Sequence, residues 1–577
     1  MKYLKTEYPR PQMKRDEWIP LNGEWDCCFA ESTSIPRDDA FDRKILVPFT
    51  YEYKASGIGE TAPHSTVWYK RTFELTKQLL GKRILLCFNA SDYITDVWVN
   101  GNHVVNHVGG FTPFSADITD NVSIGGINTV TVRCFDPADP TLPRGKQSWT
   151  GKPFGCWYAP NTGIWQSVWL ETFVDDCIDE YYAEPDIDNC CFSGEITTLY
   201  GVADSARIDV YLKGELYKKQ LLTLDGKYTR YCVKLMEDDF VDEKLFWSPE
   251  NPTLFGLDIS LFKNGKVIDV VHTRLGMRKI SIDECGNICL NNKKLYQRLI
   301  LDQGYWKESG LTPPSCEALK KDIELAKKMG FNGARKHQKI EDPYYYYYAD
   351  EMGFLTWCEM PSAYNFNSRE MKLQLSEWQN VITHMRNFAS VICYVPLNES
   401  WGVRKILNQP AQQDYARSLY FITKAMDASR LVSTNDGWEN IDFTDIISIH
   451  DYAYDSSEFA NKYAPENLDA VYPAGRKLMA EGCTYSGQPV LFTEFGGIAF
   501  KNSSKNGNWG YNDGAENEEE FISRLKNLLG GVYECGFQGF CYTQLTDVQQ
   551  EVNGLLAADR KPKLDMSVLK EIFGDKK

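Results

Sequence analysis

The chain has 577 residues, more than one hydrophobic core supports, so about three to five folding units are expected at roughly 100–200 residues each. Hydrophobic residues at 43% and charged residues at 25% form an ordinary globular balance, which excludes a disordered or fibrous chain. A formal net charge of -16, from Lys+Arg 63 against Asp+Glu 79, repels polyphosphates and anionic bilayers, excluding nucleic acid and membrane as partners.

The opening stretch, MKYLKTEYPRPQMKRDEW, holds no apolar segment of signal-peptide length, and no run of about 18 apolar residues follows. The expectation is a cytoplasmic chain. From about residue 20 to 175, WYKRTFEL, RILLCFN, TDVWVNG, TVTVRCF and GIWQSVWLE recur between turn signals, the pattern of a β-sandwich. A second β-rich stretch, with ARIDVYL, YTRYCVKL, LFGLDISLF and VIDVVHTRLG, has the size of an immunoglobulin-like sandwich. The domains are read as 1–175, 176–282 and 283–577.

After about residue 285 the period changes. Ser315 can cap a helix carrying Leu319, Ile323 and Ala326 on one face, with Gly330 placed to end it. Further stripes run through Trp378, Val381, Ile382, Met385 and Phe388, through Tyr415, Leu419, Ile422 and Met426, and through Phe521, Leu525 and Leu528. Between them lie segments suited to buried parallel strands: FNGAR, FLTWCEM, VICYVPLNE, LVSTNDGW, IISIHDY, PVLFTEFGG and FQGFCYTQ. Such alternation favours a (β/α)8 barrel over a doubly wound sheet, irregular between Trp438 and Ile446, where the gap is too short for a regular helix. The 17 cysteines show no CxxC spacing, so neither a disulfide framework nor a zinc site is indicated, and no cofactor or metal is expected.

Strand after strand ends in polar residues: Arg335 and His337, Glu359, Asn398 and Glu399, Asn435 and Asp436, His450 and Asp451, Glu494, then Gln544 and Asp547. In a (β/α)8 barrel the carboxyl ends converge on one mouth, so these groups are expected to share a pocket. Glu399 follows VICYVPL and Glu494 follows VLFT, which places both low in an aromatic-walled cup. Burial and mutual repulsion are expected to raise one carboxyl pKa while its partner stays ionised, the asymmetry that glycoside cleavage requires.

GGFTPFSADIT, TGIWQSVWLE, WSPENPTLF, LGMRKI, VPLNESWG and VLFTEFGG, in this order from about Trp18 to Lys563, resemble the successive landmarks of glycoside hydrolase family 2. The resemblance implies an N-terminal sugar-binding-type jelly roll, an immunoglobulin-like middle domain and a C-terminal catalytic TIM barrel. It also implies Glu399 as general acid/base, Glu494 as nucleophile, and Asn398 as a hydrogen-bond partner of the sugar 2-hydroxyl. Tyr452 is placed to donate to the nucleophile. Trp357, Trp401, Trp438 and Trp509 are candidates for a sugar platform, with no more than two expected to touch substrate. Arg335, His337, Glu359, Asn435, His450 and Asp451 join them as candidate substrate contacts, with Trp157 at the rim.

The chain also departs from these relatives. Where many carry N-x-x-R-x-S-H, it has Asn332, Gly333, Ala334, Arg335, Lys336, His337 and Gln338. The Asn-x-Lys that binds the uronate in β-glucuronidases is matched by Asn553 followed by Leu555. The sequence therefore reads as a retaining exo-β-glycosidase acting on a carbohydrate, with β-galactosides first and β-glucuronides, β-galacturonides, β-mannosides or arabinosides behind. Lys336 or Arg335 stays a candidate for holding a carboxylate. Assembly into a homo-oligomer is left open. A carbohydrate-binding protein without catalysis is opposed by the retained carboxylates, and a metal-dependent hydrolase by the absence of HxH or HExxH spacing.

Overall fold

The computed structural model describes residues 5–235, 243–503 and 507–574. The first unit is an antiparallel sandwich of a four-stranded and a six-stranded sheet. Its strand Arg83–Phe88 shows why it forms: Ile84, Leu86 and Phe88 enter the core between the sheets, while Leu85 and Cys87 face the other way against Tyr8 and Trp169. The second unit pairs a three-stranded with a four-stranded antiparallel sheet around Phe192, Ile208, Val233, Ile259 and Val271.

The third unit is a closed parallel barrel, and only its strands are numbered: β1 (Gln297–Asp302), β2 (Gly333–Lys336), β3 (Leu355–Glu359), β4 (Val391–Val395), β5 (Leu431–Val432), β6 (Ile447–Asp451), β7 (Val490–Gly496) and β8 (Gly539–Thr543). They pair in the order β5-β4-β3-β2-β1-β8-β7-β6. Between β5 and β6 no ladder forms, and closure is made by single bonds such as Asp445 N to Val432 O at 2.8 Å and Gly437 N to Ser448 Oγ at 2.8 Å. The short connection after Trp438 leaves room for nothing more regular.

Ser315 caps the helix Cys316–Lys328 by accepting from Ala318 N, and Leu319, Ile323 and Ala326 are buried, as their spacing predicted. A small sheet beginning at Ile280 closes the barrel floor, where Ile280, Ile288 and Leu290 pack with Leu299, Leu355, Trp357 and Val395. One apolar cluster joins sandwich and barrel: Ala90, Phe111, Tyr158 and Trp165 pack continuously with barrel residues such as Tyr305, Leu311 and Ile340. The cysteines are free and most are buried. Among the described residues no helix is long and apolar enough to cross a membrane.

Candidate active site

Strand β4 is continued by Leu397–Asn398, which pairs in parallel with Asn435–Asp436. Immediately afterwards Glu399 (φ 50°) and Ser400 (φ 57°) both take the left-handed conformation, which costs a non-glycine residue about 1 kcal/mol or more. The surroundings hold it there. Glu399 N donates to Asp436 O at 2.8 Å, Ser400 N to Asn435 Oδ1 at 3.0 Å, and Ser400 Oγ to Glu439 Oε2 at 2.6 Å. The turn aims the Glu399 carboxylate into the barrel mouth. Glu494 arrives from β7, and one carboxylate oxygen of each glutamate lies with a His450 ring nitrogen in a trio whose members are all within 4.8 Å.

Beneath them, Arg335 is fully buried on β2 and spends its whole guanidinium on the site. Nε donates to Glu359 Oε2 at 2.7 Å, Nη1 to Glu494 Oε1 at 2.8 Å, and Nη2 to Asn398 Oδ1 at 2.6 Å, with Asp436 Oδ1 at 3.3 Å from Nη1. Breaking a buried charge of this kind costs about 3–5 kcal/mol, so the fork fixes the relative positions of three strand ends. Tyr452 OH donates to Glu494 Oε2 at 2.5 Å, and Tyr511 stacks on Tyr452. Asn398 Nδ2 is buried and without a protein partner among the described residues, a donor left over for a ligand.

His450 joins the two carboxylates electrically. Its Nδ1 lies 2.9 Å from Glu399 Oε1 and its Nε2 2.7 Å from Asp436 Oδ1. Burial alone would depress its pKa, but the negative charge of Glu494 and the hydrogen bonds to Asp436 and Glu399 raise it to about 9. Both ring nitrogens thus lie against carboxylate oxygens, the setting that favours the doubly protonated ring at neutral pH. Burial pushes the Glu399 and Glu494 carboxyls up, but His450, with Arg335 behind it, holds both below the ordinary glutamate value. This differs from the sequence expectation of one raised carboxyl: the shared proton rests on His450 instead. Burial does lift a third carboxyl, Glu359, to about 8 despite Arg335. His337, its Nδ1 3.1 Å from Glu359 Oε1 but outside hydrogen-bond geometry, is driven well below the usual histidine value by burial.

The rim comes from the sandwich. Arg144 N and Gly145 N donate to Ser362 O at 3.2 and 3.1 Å, just beyond β3, and Tyr364 OH donates to Gly145 O. Gly145 is required here: its φ is +58°, and a Cβ would lie 2.3 Å from Gln338 O. Farther along the same loop, Trp157 meets Trp401 edge-on at 5.1 Å, and Trp401 Nε1 donates to Glu399 Oε2 at 3.3 Å. Trp509 Nε1 and Gln550 Nε2 tie the loop to the last barrel segments through Gly155 O at 3.0 and 2.8 Å.

Five expected substrate contacts are engaged with the protein itself. Trp357 lies in the barrel interior with its indole N–H on Gln297 Oε1 at 2.8 Å, so it fills the floor beneath the pocket. Asp451 points outward from β6 to Lys462 Nζ at 2.6 Å and to Tyr463 OH, because successive strand residues face opposite sides. Asn435 is consumed by Ser400 and the Trp438 carbonyl, so it holds the acid/base turn. Arg335 and Glu359 form the buried layer under the carboxylates and are bonded to one another. Lys336 turns away from the pocket to Asp302 at 2.7 Å and Glu341 at 2.9 Å. The pocket does gather Glu399, Glu494, Asn398, His337, His450, Tyr452, Trp401 and Trp157, with Trp438 edge-on to His450 at 5.6 Å. Sequence reasoning passed over Lys146, Cys156, Tyr364 and Glu551. They sit in irregular segments where no period or motif marks them.

Three family models match the chain in order: "Glycosyl hydrolases family 2, sugar binding domain" over residues 13–171, "Glycosyl hydrolases family 2" over 178–278, and "Glycosyl hydrolases family 2, TIM barrel domain" over 280–576. A beta-galactosidase of Thermoanaerobacter pseudethanolicus is 24% identical over 373 residues, covering 63% of this chain and 47% of that protein. A beta-glucuronidase of Bacteroides fragilis is 26% identical over 362 residues, covering 59% of this chain and 49% of that one. The chain thus spans about half the length of the curated relatives it matches. The solved GH2 beta-galacturonidase from Eisenbergiella tayi bound to glycerol shares the fold at a TM-score of 0.76 and 19% identity, over 99% of this chain and 98% of that chain.

Proposed function

The chain belongs to glycoside hydrolase family 2, and on that premise we propose that it is a retaining exo-β-glycosidase with Glu494 as nucleophile and Glu399 as general acid/base. The observation that carries this is the closeness of the two glutamates, whose nearer oxygens fall within 4.8 Å. A nucleophile must reach the anomeric carbon directly, so retaining enzymes hold their carboxyls about 5–5.5 Å apart, whereas an inverting pair stands roughly 6.5–9.5 Å apart to admit water.

Arg335, His450 and Tyr452 keep Glu494 ionised and oriented for attack. Asn398 Nδ2 is free to meet the sugar 2-hydroxyl as the ring gains oxocarbenium character. The proton for the leaving oxygen passes through Glu399, supplied by the adjacent imidazolium. As Glu494 becomes a glycosyl ester its negative charge disappears, and with it the leading cause of the raised His450 pKa, so the proton is released when departure needs it. Asn553 is tied to Gln544 and Glu551, and no lysine follows it at position 555, so the barrel's own residues offer no Asn-x-Lys to a uronate.

A 2-deoxy-2-fluoro glycosyl fluoride should trap a stable adduct on the peptide containing Glu494, and NMR of the first-formed product should show the β anomer. A label on another carboxylate, or an α product, overturns the assignment.

A further inference from the structure

The sandwich brings a charge that the barrel lacks. Lys146 lies next to Gly145 on the loop pinned to the barrel mouth and is 7% exposed. Other buried lysines are each held by a carboxylate: Lys5 by Asp342 at 2.9 Å, Lys336 by Asp302 at 2.7 Å and Lys339 by Glu341 at 2.7 Å. Among the described residues Lys146 has no carboxylate within the 4.0 Å of an ion pair. Burial disfavours its charge, but the nearby Cys156, Glu399, Tyr364 and Glu551 hold its pKa above the ordinary lysine value, so it stays a charged ammonium with no carboxylate at ion-pair distance, open to one brought by a ligand.

Its surroundings locate that ligand. The charge of Lys146 acts on Glu399, Glu551 and His337, which border the pocket. The two nearby carboxylates are already committed: Glu399 to His450 Nδ1 and Trp401 Nε1, Glu551 to Tyr158 OH at 2.7 Å and Asn553 Nδ2 at 3.1 Å. Burial also raises the Glu551 carboxyl, which weakens it as a counter-ion. At the barrel's strand ends, Asn398 Nδ2 and Trp438 Nε1 are further buried donors without a partner among the described residues. The loop cannot swing out to hydrate the ammonium, because Gly145 and Arg144 are bonded to Ser362.

We infer that Lys146 is a specificity-determining residue contributed by the sandwich, and that its ammonium receives the carboxylate of a terminal β-hexuronide seated in the barrel pocket. This rests on the glycosidase assignment above and names the class of its terminal sugar, in place of the β-galactoside that the sequence put first. It also gives the missing Asn-x-Lys a substitute drawn from another domain.

The test compares the nitrophenyl β-galacturonide and β-glucuronide with the matched galactoside, glucoside and 6-sulfated galactoside. For the intact chain the better uronide should exceed its neutral partner by about tenfold or more in kcat/KM, a modest value for one charge-assisted contact. Lys146→Met should collapse that ratio toward one, and Lys146→Arg should restore part of it. A neutral sugar preferred by the intact chain, or an unchanged ratio in Lys146→Met, overturns the inference while leaving the glycosidase reading intact. Preference for the sulfated sugar with the same Lys146 dependence overturns the carboxylate assignment. Calorimetric binding of free galacturonate and glucuronate against galactose separates the two proposals. Uronate binding that Lys146→Met weakens supports this site even if no glycoside is hydrolysed, whereas equal binding of acid and neutral sugar refutes it.

Discussion

Replacing His450 with asparagine keeps a polar group of similar reach but removes the proton store beside Glu399. The lift of the His450 pKa from 6.5 to about 9 corresponds to roughly 3 kcal/mol of preference for the charged ring. The Glu399–His450 pair therefore holds one exchangeable proton up to about pH 9, and the alkaline limb of kcat/KM in the intact chain should fall there. In His450→Asn, Glu399 loses the hydrogen bond and the charge that hold its pKa down, while burial and the nearby Glu494 anion remain. Its pKa should then rise, restrained by Lys146 and Arg335 alone, and the alkaline limb should move acidward by about one pH unit or more. The assay needs an alkyl glycoside, whose departure depends on the proton. A dinitrophenyl glycoside of the same sugar leaves unaided and should show the shift in much weaker form. If the alkyl-glycoside limb of the variant stays within about half a pH unit of the intact chain, His450 does not govern the proton.

Glu494→Ala should abolish turnover of every substrate, whereas Glu399→Ala should spare activated aryl glycosides and regain rate with azide; an α-azide product from the latter would contradict a retaining pair. Gly145→Ala forces a left-handed alanine whose Cβ meets Gln338 O at 2.3 Å, so the rim must lift. That should lower kcat/KM by about a hundredfold, as a displacement of roughly 1 Å can, with a reduced Tm, and wild-type kinetics would show the loop to be dispensable. Because the His450 pKa is raised, the stability that this residue contributes is complete below pH 6.5 and is lost as the pH rises through about 9. Thermal unfolding on both sides of that window should show the intact chain losing its advantage over His450→Asn, and parallel curves would refute the linkage.

The architecture was legible because it is written in periods: alternation along Arg83–Phe88, helical stripes at Leu319, Ile323 and Ala326, and short apolar runs between them. The two carboxylates were legible because both follow fully buried strands. Convergence at strand ends failed to say which face of a strand a residue occupies. Asp451 follows His450 by one residue and so points to the opposite side, and Trp357 lies two residues before Glu359 and fills the layer below it. The proton balance was illegible for a different reason. It depends on His450 facing Glu399, Asp436 and Glu494 at once, and those residues come from separate segments of the chain. Lys146 sits in a Gly- and Pro-containing loop that reads as a solvated turn, and only the docking of that loop on Ser362 buries it.

The apolar seam formed by Ala90, Phe111, Tyr158 and Trp165 against the barrel has a bearing on how the chain comes to be made. A sandwich emerging first during synthesis can fold its own sheets, yet it must carry Phe111 and Trp165 uncovered until the barrel behind it is translated. The barrel in turn closes only when β8 has been added between β7 and β1. For most of its synthesis the nascent protein therefore presents an adhesive face that its own later residues are destined to cover. Slowing elongation over the second half of the message should raise its demand for chaperones that bind exposed aromatic surface.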